Sequence, residues 1–132
     1  MRILLSFLVL LFVSSLAHAE TVRRTVPANK TSGVGSHATY NRSQCVALAI
    51  PKMKVSKEPK NGTVSFKQVS FKLSKDAGRC AGRRVNGVAV YYKPNRGFRG
   101  KDDFKVRFTM DMYTAGSAKI RNVVDRYIIE VK

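Results

Sequence analysis

Tryptophan is absent from this 132-residue chain, and cysteine and histidine occur only twice each. A zinc site built from several cysteines is therefore excluded. So is a two-histidine metalloprotease motif, once His18 leaves with the leader described below. Acidic residues are scarce: 8 Asp and Glu stand against 25 Lys and Arg, for a formal charge of +17. No apolar run reaches the roughly 18 residues of a membrane-spanning helix. Nor does a 3.6-residue apolar pattern persist long enough for an amphipathic helix. What remains is a 44% apolar chain, rich enough for a core and too apolar for disorder. Its length suits one domain.

The first residues read as an address. Met1-Arg2 is a short positive start, Ile3 to Val13 is apolar, and Ala17-His18-Ala19 has the small residues of a cleavage site. Residues 1–19 are expected to be a signal peptide, cut between Ala19 and Glu20, which sends the chain to the periplasm or the exterior. That compartment is oxidising, so the two remaining cysteines, Cys45 and Cys80, are expected to form one disulfide.

Glu20 to Arg42 is polar and aperiodic, punctuated by Pro27, Gly33 and Gly35, and reads as a flexible basic N-terminal arm. Residues 43–132 then form the domain. Cys45 to Ile50 is an apolar run suited to a core strand. Pro59-Lys60-Asn61-Gly62 is a turn signal, with Asn-Gly supplying positive φ angles. Val64 and Phe66 alternate on one parity, and Val69, Phe71 and Leu73 on the other, which predicts a bulge or a second strand near Gln68. Val88, Val90 and Tyr92 alternate next. Phe104, Val106 and Phe108 alternate with Lys105 and Arg107, and Val123, Tyr127, Ile129 and Val131 share one parity in a last strand. Short strands separated by turns predict an all-β, antiparallel sandwich or barrel.

Tyr92-Lys93-Pro94-Asn95-Arg96-Gly97-Phe98-Arg99-Gly100-Lys101-Asp102-Asp103-Phe104 has the form Y-x-P-x-x-G-F-x-G-x-D-x-F. It resembles the signature of bacterial immunoglobulin-like (cadherin-like) repeat domains of exported proteins. Pro59 to Val64 is similar to the P-x-x-G-T-V that opens those domains, and Tyr127 to Val131 to their closing strand. The resemblance covers residues 59–131 and implies an immunoglobulin-like β-sandwich. The family often occurs as tandem acidic repeats in adhesins, whereas this chain has one basic copy and a cysteine pair, so adhesion and calcium binding are not carried over.

The motif also has a direct physical reading. Pro94 ends a strand, and Gly97 and Gly100 take backbone angles that a side chain forbids. Tyr92, Phe98 and Phe104 supply core, and Asp102 accepts backbone N–H groups in the turn. Asp102 and Asp103 as metal ligands or an acid pair is the rival reading, disfavoured because Arg96, Arg99, Lys101 and Lys105 repel a cation. A triad drawn from Ser36, His37 and a distant Asp falls in the expected arm, where geometry is not held. No catalytic residue, metal or cofactor is assigned.

Charge is the feature that exceeds what a fold needs, since about 2–8 suffices for solubility. Lys105 and Arg107 point away from the core, and Arg96, Arg99 and Lys101 lie in the turn before them. These five are the expected polyanion site. The function expected is a non-enzymatic binding module of the cell envelope. Its partner is an anionic polymer, such as lipopolysaccharide, acidic polysaccharide or nucleic acid, or an acidic protein surface. The alternative is a small periplasmic inhibitor or accessory subunit that binds another protein. Charge serving solubility alone is the plainest reading.

Overall fold

The computed structural model of the chain describes residues 20–111 and 120–132. The expected signal peptide, residues 1–19, lies outside the described residues. Among the described residues nine strands follow in order: β1 (Thr21–Val26), β2 (Ser32–His37), β3 (Tyr40–Asn41), β4 (Val46–Ala47), β5 (Lys52–Lys57), β6 (Gly62–Lys72), β7 (Arg84–Pro94), β8 (Gly100–Asp111) and β9 (Ile120–Val131). A 3-10 segment, Lys75–Cys80, joins β6 to β7. The strands form a four-stranded sheet, β1-β9-β8-β5, a three-stranded sheet, β2-β7-β6, and a small β3-β4 hairpin. No helix among the described residues is long and apolar enough to cross a membrane.

The period-2 pattern decides which face meets the other sheet. On β8, Phe104, Val106 and Phe108 are buried while Lys101, Lys105 and Arg107 are exposed. Val90 and Tyr92 from β7, Val34 from β2, and Tyr127, Ile129 and Val131 from β9 complete the core with Val26. Phe104 is stacked between Tyr127, at 4.8 Å, and Tyr92, at 5.9 Å. The result is a sandwich-like arrangement of two main sheets. Pairing is antiparallel except at one edge, where β1 runs parallel to β9 from Thr21↔Arg126 to Val26↔Val131. Cross-links past the strand ends, Ala28 N to Lys132 O and Lys132 N to Val26 O, fix that register.

The structure corrects four expectations. Residues 20–42 are not a flexible arm: β1 and β2 are strands of the two main sheets. Arg24, exposed at the sheet edge, interrupts the alternation of Val22 and Val26 and hid the strand. Gly35, taken as a breaker, is a close-packing site, because a Cβ there would lie 2.6 Å from the Tyr127 hydroxyl. Second, Cys45 to Ile50 is not a core strand. It contains the two-residue β4, with Val46 51% exposed, and the sheet instead uses β5, which places Met53 and Val55 inward between lysines.

Third, Asn61-Gly62 does not supply positive φ angles. Gly62 begins β6, and the reason for glycine is Tyr92, whose ring atoms would stand 2.5 Å from an added Cβ. Fourth, the phase slip near Gln68 is neither a bulge nor a break. β6 pairs with β7 without a register shift from Gly62↔Pro94 to Lys72↔Arg84. The apolar face changes because the sheet is covered on opposite sides at its two ends. Val64 and Phe66 pack on the main core, whereas Phe71 lies beside Val85 and Gly87, where Ala38 approaches and β4 packs on β7.

The Cys45–Cys80 disulfide is formed, with Cα atoms 5.2 Å apart. It ties the β3-β4 turn to the end of the 3-10 segment. Asn41 shapes that turn: its side-chain oxygen accepts the N–H groups of Ser43 and Gln44, and its carbonyl accepts that of Cys45.

Candidate functional site

Alternation along β8 places Lys101, Lys105 and Arg107 on the outer face of the four-stranded sheet. Six residues of strand separate the first from the last, about 20 Å, so they form a stripe. Arg99 is exposed in the turn before β8, and Arg96 lines a depression at the end of the sandwich with Asn29, Lys93, Pro94 and Gly97. The five cations are therefore brought to one rim and one face. Lys101 stands opposite Glu130 and borders a shallow recess of about 190 Å³ with Arg23, Arg24, Thr25 and Ile128.

Register adds cations that the linear sequence keeps apart. Lys54 on β5 is directly opposite Arg107. Lys57 on β5, Lys105 on β8 and Arg126 on β9 form one row across three strands. Asp103 sits in this field. Its Oδ2 accepts from Lys57 Nζ at 2.7 Å and from Arg126 at 3.4 Å. The Lys57 hydrogen bond is the main reason its carboxyl titrates below the ordinary value. One carboxylate against the three cations of the row leaves the face positive. Lys54, Lys57 and Arg126 were missed because no local pattern announces which strands will be neighbours.

The Tyr92–Phe104 motif lies at the same end. Gly97 and Gly100 have φ of +79° and +129°. The Gly97 N–H reaches Asn29 Oδ1 at 2.8 Å, and Phe98 packs against the core. Pro94 is the last residue of β7. Asp102, only 6% exposed, accepts from Tyr92 Oη at 2.8 Å, from Lys60 N and Asp103 N through Oδ1, and from Asn61 N through Oδ2. Burial, and then this carboxylate, push the Tyr92 phenol far above its ordinary pKa.

A second polar group was not anticipated. Asp125 is 2% exposed and faces inward on β9. Its Oδ2 is 3.5 Å from His37 Nε2, which is also 3.2 Å from Tyr127 Oη. The His37 ring stacks on Phe108 at 4.2 Å. Burial pushes His37 below its usual pKa, Asp125 above its own, and Tyr127 up to about 12. The sequence did carry a signal: Asp125 shares the parity of Val123, Tyr127 and Ile129, an acid at a core position. With the His37 ring turned into the sandwich, Ser36 points to the opposite face of β2, so this pair presents no nucleophile to an imidazole. Among the described residues, no three His, Cys, Asp or Glu side chains cluster as metal ligands would.

No family model, curated protein or solved structure matches the chain.

Proposed function

We propose that the chain is a non-enzymatic, exported binding module that engages an anionic polymer through the outer face of its four-stranded sheet. One observation carries this reading. Lys54↔Arg107 and Lys57↔Lys105↔Arg126 set like charges directly opposite one another. Such pairs cost stability in a sheet, and the acid that meets them, Asp103 between Lys57 and Arg126, offsets that cost only in part. Opposed cations on a sheet face suit a repeating anion, where Arg forks and Lys point charges meet phosphate or carboxylate oxygens. The leader-like start and the disulfide support export to the periplasm or the exterior.

The same reading takes the fold as immunoglobulin-like. Strand orders β2-β7-β6 and β9-β8-β5 follow the B-E-D and G-F-C orders of immunoglobulin sandwiches once the short β3-β4 hairpin is counted as an insertion. The Y-x-P-x-x-G-F-x-G-x-D-x-F motif then spans the connection between the two sheets.

The test is a binding titration with lipopolysaccharide, acidic polysaccharide and DNA at several salt concentrations. Wild type is compared with a triple reversal of Lys54, Lys105 and Arg107 to Glu, and with a control reversing the exposed Lys72, Lys75 and Arg83. The expected outcome is a linear fall of log affinity with log salt, with most affinity lost in the first variant and little in the control. Absence of binding at low salt, or equal losses in both, overturns the proposal.

A further inference from the structure

Glu20 begins the described chain just after the expected cleavage site, and it is held at both ends of its backbone. Its nitrogen lies 3.2 Å from Asp125 Oδ1. Its carbonyl oxygen accepts the Arg126 N–H at 2.9 Å. Asp125 itself is sealed from solvent, and among the described residues His37 is the only basic side chain within ion-pair distance of it. This is unusual company in a protein of charge +17. A buried carboxylate with only a peptide N–H and an imidazole beside it is a costly group. Burial pushes its pKa upward and that of His37 downward, and the Glu20 N–H and the imidazole offset that cost only in part.

We propose that Asp125 is the receptor for the mature N-terminus: hydrolysis of the Ala19–Glu20 bond creates an α-ammonium at Glu20 that pairs with the Asp125 carboxylate. A leader-cleaving peptidase of the export route catalyses the step. Water adds across the peptide bond, Ala19 leaves as a carboxylate, and the Glu20 nitrogen becomes an ammonium, so atoms and charge balance. The nitrogen need not move. A neutral donor on Oδ1 becomes a cation with three donors, and a hydrogen bond becomes a charge-assisted one. Cleavage one residue away would displace the amine by about 3.8 Å per Cα step, out of hydrogen-bonding reach of the carboxylate. The fold thus stabilises one processed form. The inference rests on the leader reading and is independent of the anionic partner.

The experiment uses folded chains with defined starts: one beginning at Glu20, one at Ala19, and each with Asp125→Asn. The Glu20 chain is expected to melt roughly 4–8 °C above the Ala19 chain near neutral pH, and Asp125→Asn to erase the gap. The charged or titratable groups that face the pair are the Glu20 side chain, His37 on β2 and Tyr127 on β9, with Arg24 nearby on β1. An α-ammonium favoured by a carboxylate titrates above its unfolded value of about 8. Its stabilisation is therefore complete below that pH and lost as pH rises through the folded value, which closes the gap between the two wild-type chains. That pH arm needs no variant and stands if Asp125→Asn fails to fold. Equal melting of the two wild-type chains, or an unchanged gap in the Asp125→Asn pair, overturns the proposal. So does an exported protein that starts at a residue other than Glu20. Loss of polyanion binding would bear only on the basic face.

Discussion

The hydroxyl of Tyr92 donates to Asp102 Oδ2 at 2.8 Å, joining β7 to β8 inside the sandwich. The same carboxylate takes the backbone N–H groups of Lys60 and Asn61. One side chain therefore closes the turn before β6 against the start of β8, and Tyr92 in turn covers Gly62.

Removing that hub should be costly. Asp102→Ala takes this acceptor from the partly buried N–H groups of Lys60, Asn61 and Asp103 and leaves the Tyr92 hydroxyl only the Asn61 carbonyl at 3.4 Å, and a loss of about 2–4 kcal/mol is expected. Tyr92→Phe removes one donor and leaves Asp102 its backbone partners, so about 1 kcal/mol is expected. Urea denaturation of both variants checks the order; equal losses would mean that the backbone bonds contribute nothing.

Gly35→Ala places a methyl 2.6 Å from the Tyr127 hydroxyl and 3.1 Å from its ring. Overpacking of this kind costs about 1–3 kcal/mol. Adding Tyr127→Phe takes away the nearest atom, so the double variant should lose less than the two single losses added together. A double-mutant cycle measures this coupling, and strict additivity would refute the close-packing account of β2.

The disulfide spans a sequence separation of 35 residues and holds the β3-β4 turn, whose two strands form a sheet of their own. Replacing Cys45 and Cys80 together by Ala should lower stability by about 2–4 kcal/mol. Hydrogen exchange should show the greatest loss of protection around residues 40–48, with β8 and β9 little changed; uniform loss would contradict a local staple.

His37 predicts a pH response. Its folded pKa is depressed by burial, so below its unfolded value of about 6.5 the unfolded chain binds the proton more readily. Stability should therefore fall as pH drops from about 6.5, until the folded imidazole also titrates. Asp125, raised in the fold, acts in the opposite sense at lower pH. His37→Gln should flatten the decline between about pH 6.5 and 5. An unchanged profile would show that the imidazole is not the titrating group.

Lys105 lies between Lys57 and Arg126. Lys105→Thr should raise stability by a few tenths of a kcal/mol at low salt by relieving two like-charge neighbours, with the gain vanishing at high salt. The same variant should bind a polyanion more weakly. A variant that loses stability at low salt would show that the lysine stem packs more than its charge repels.

Some of this protein was legible in the linear chain because it depends on neighbours two residues apart. Period-2 alternation at 104–108 determined a half-buried strand and turned Lys105 and Arg107 outward, since a pleated backbone leaves side chains no other choice. A count of two cysteines admits one intramolecular pairing, and Cys45–Cys80 is the disulfide that forms. Other features depend on which strands meet, and only the tertiary structure decided them. Gly33 and Gly35 look like loop until Tyr127 is seen against Gly35, and Lys-Met-Lys-Val-Ser-Lys looks like charge until Met53 and Val55 face the core. The cation row needs the registers of β5, β8 and β9, which fold together residues 57, 105 and 126. The pairing of Glu20 with Asp125 spans 105 positions of sequence. A parallel β1-β9 edge brings it about, because the first and last described strands share one sheet and no local propensity encodes that closure.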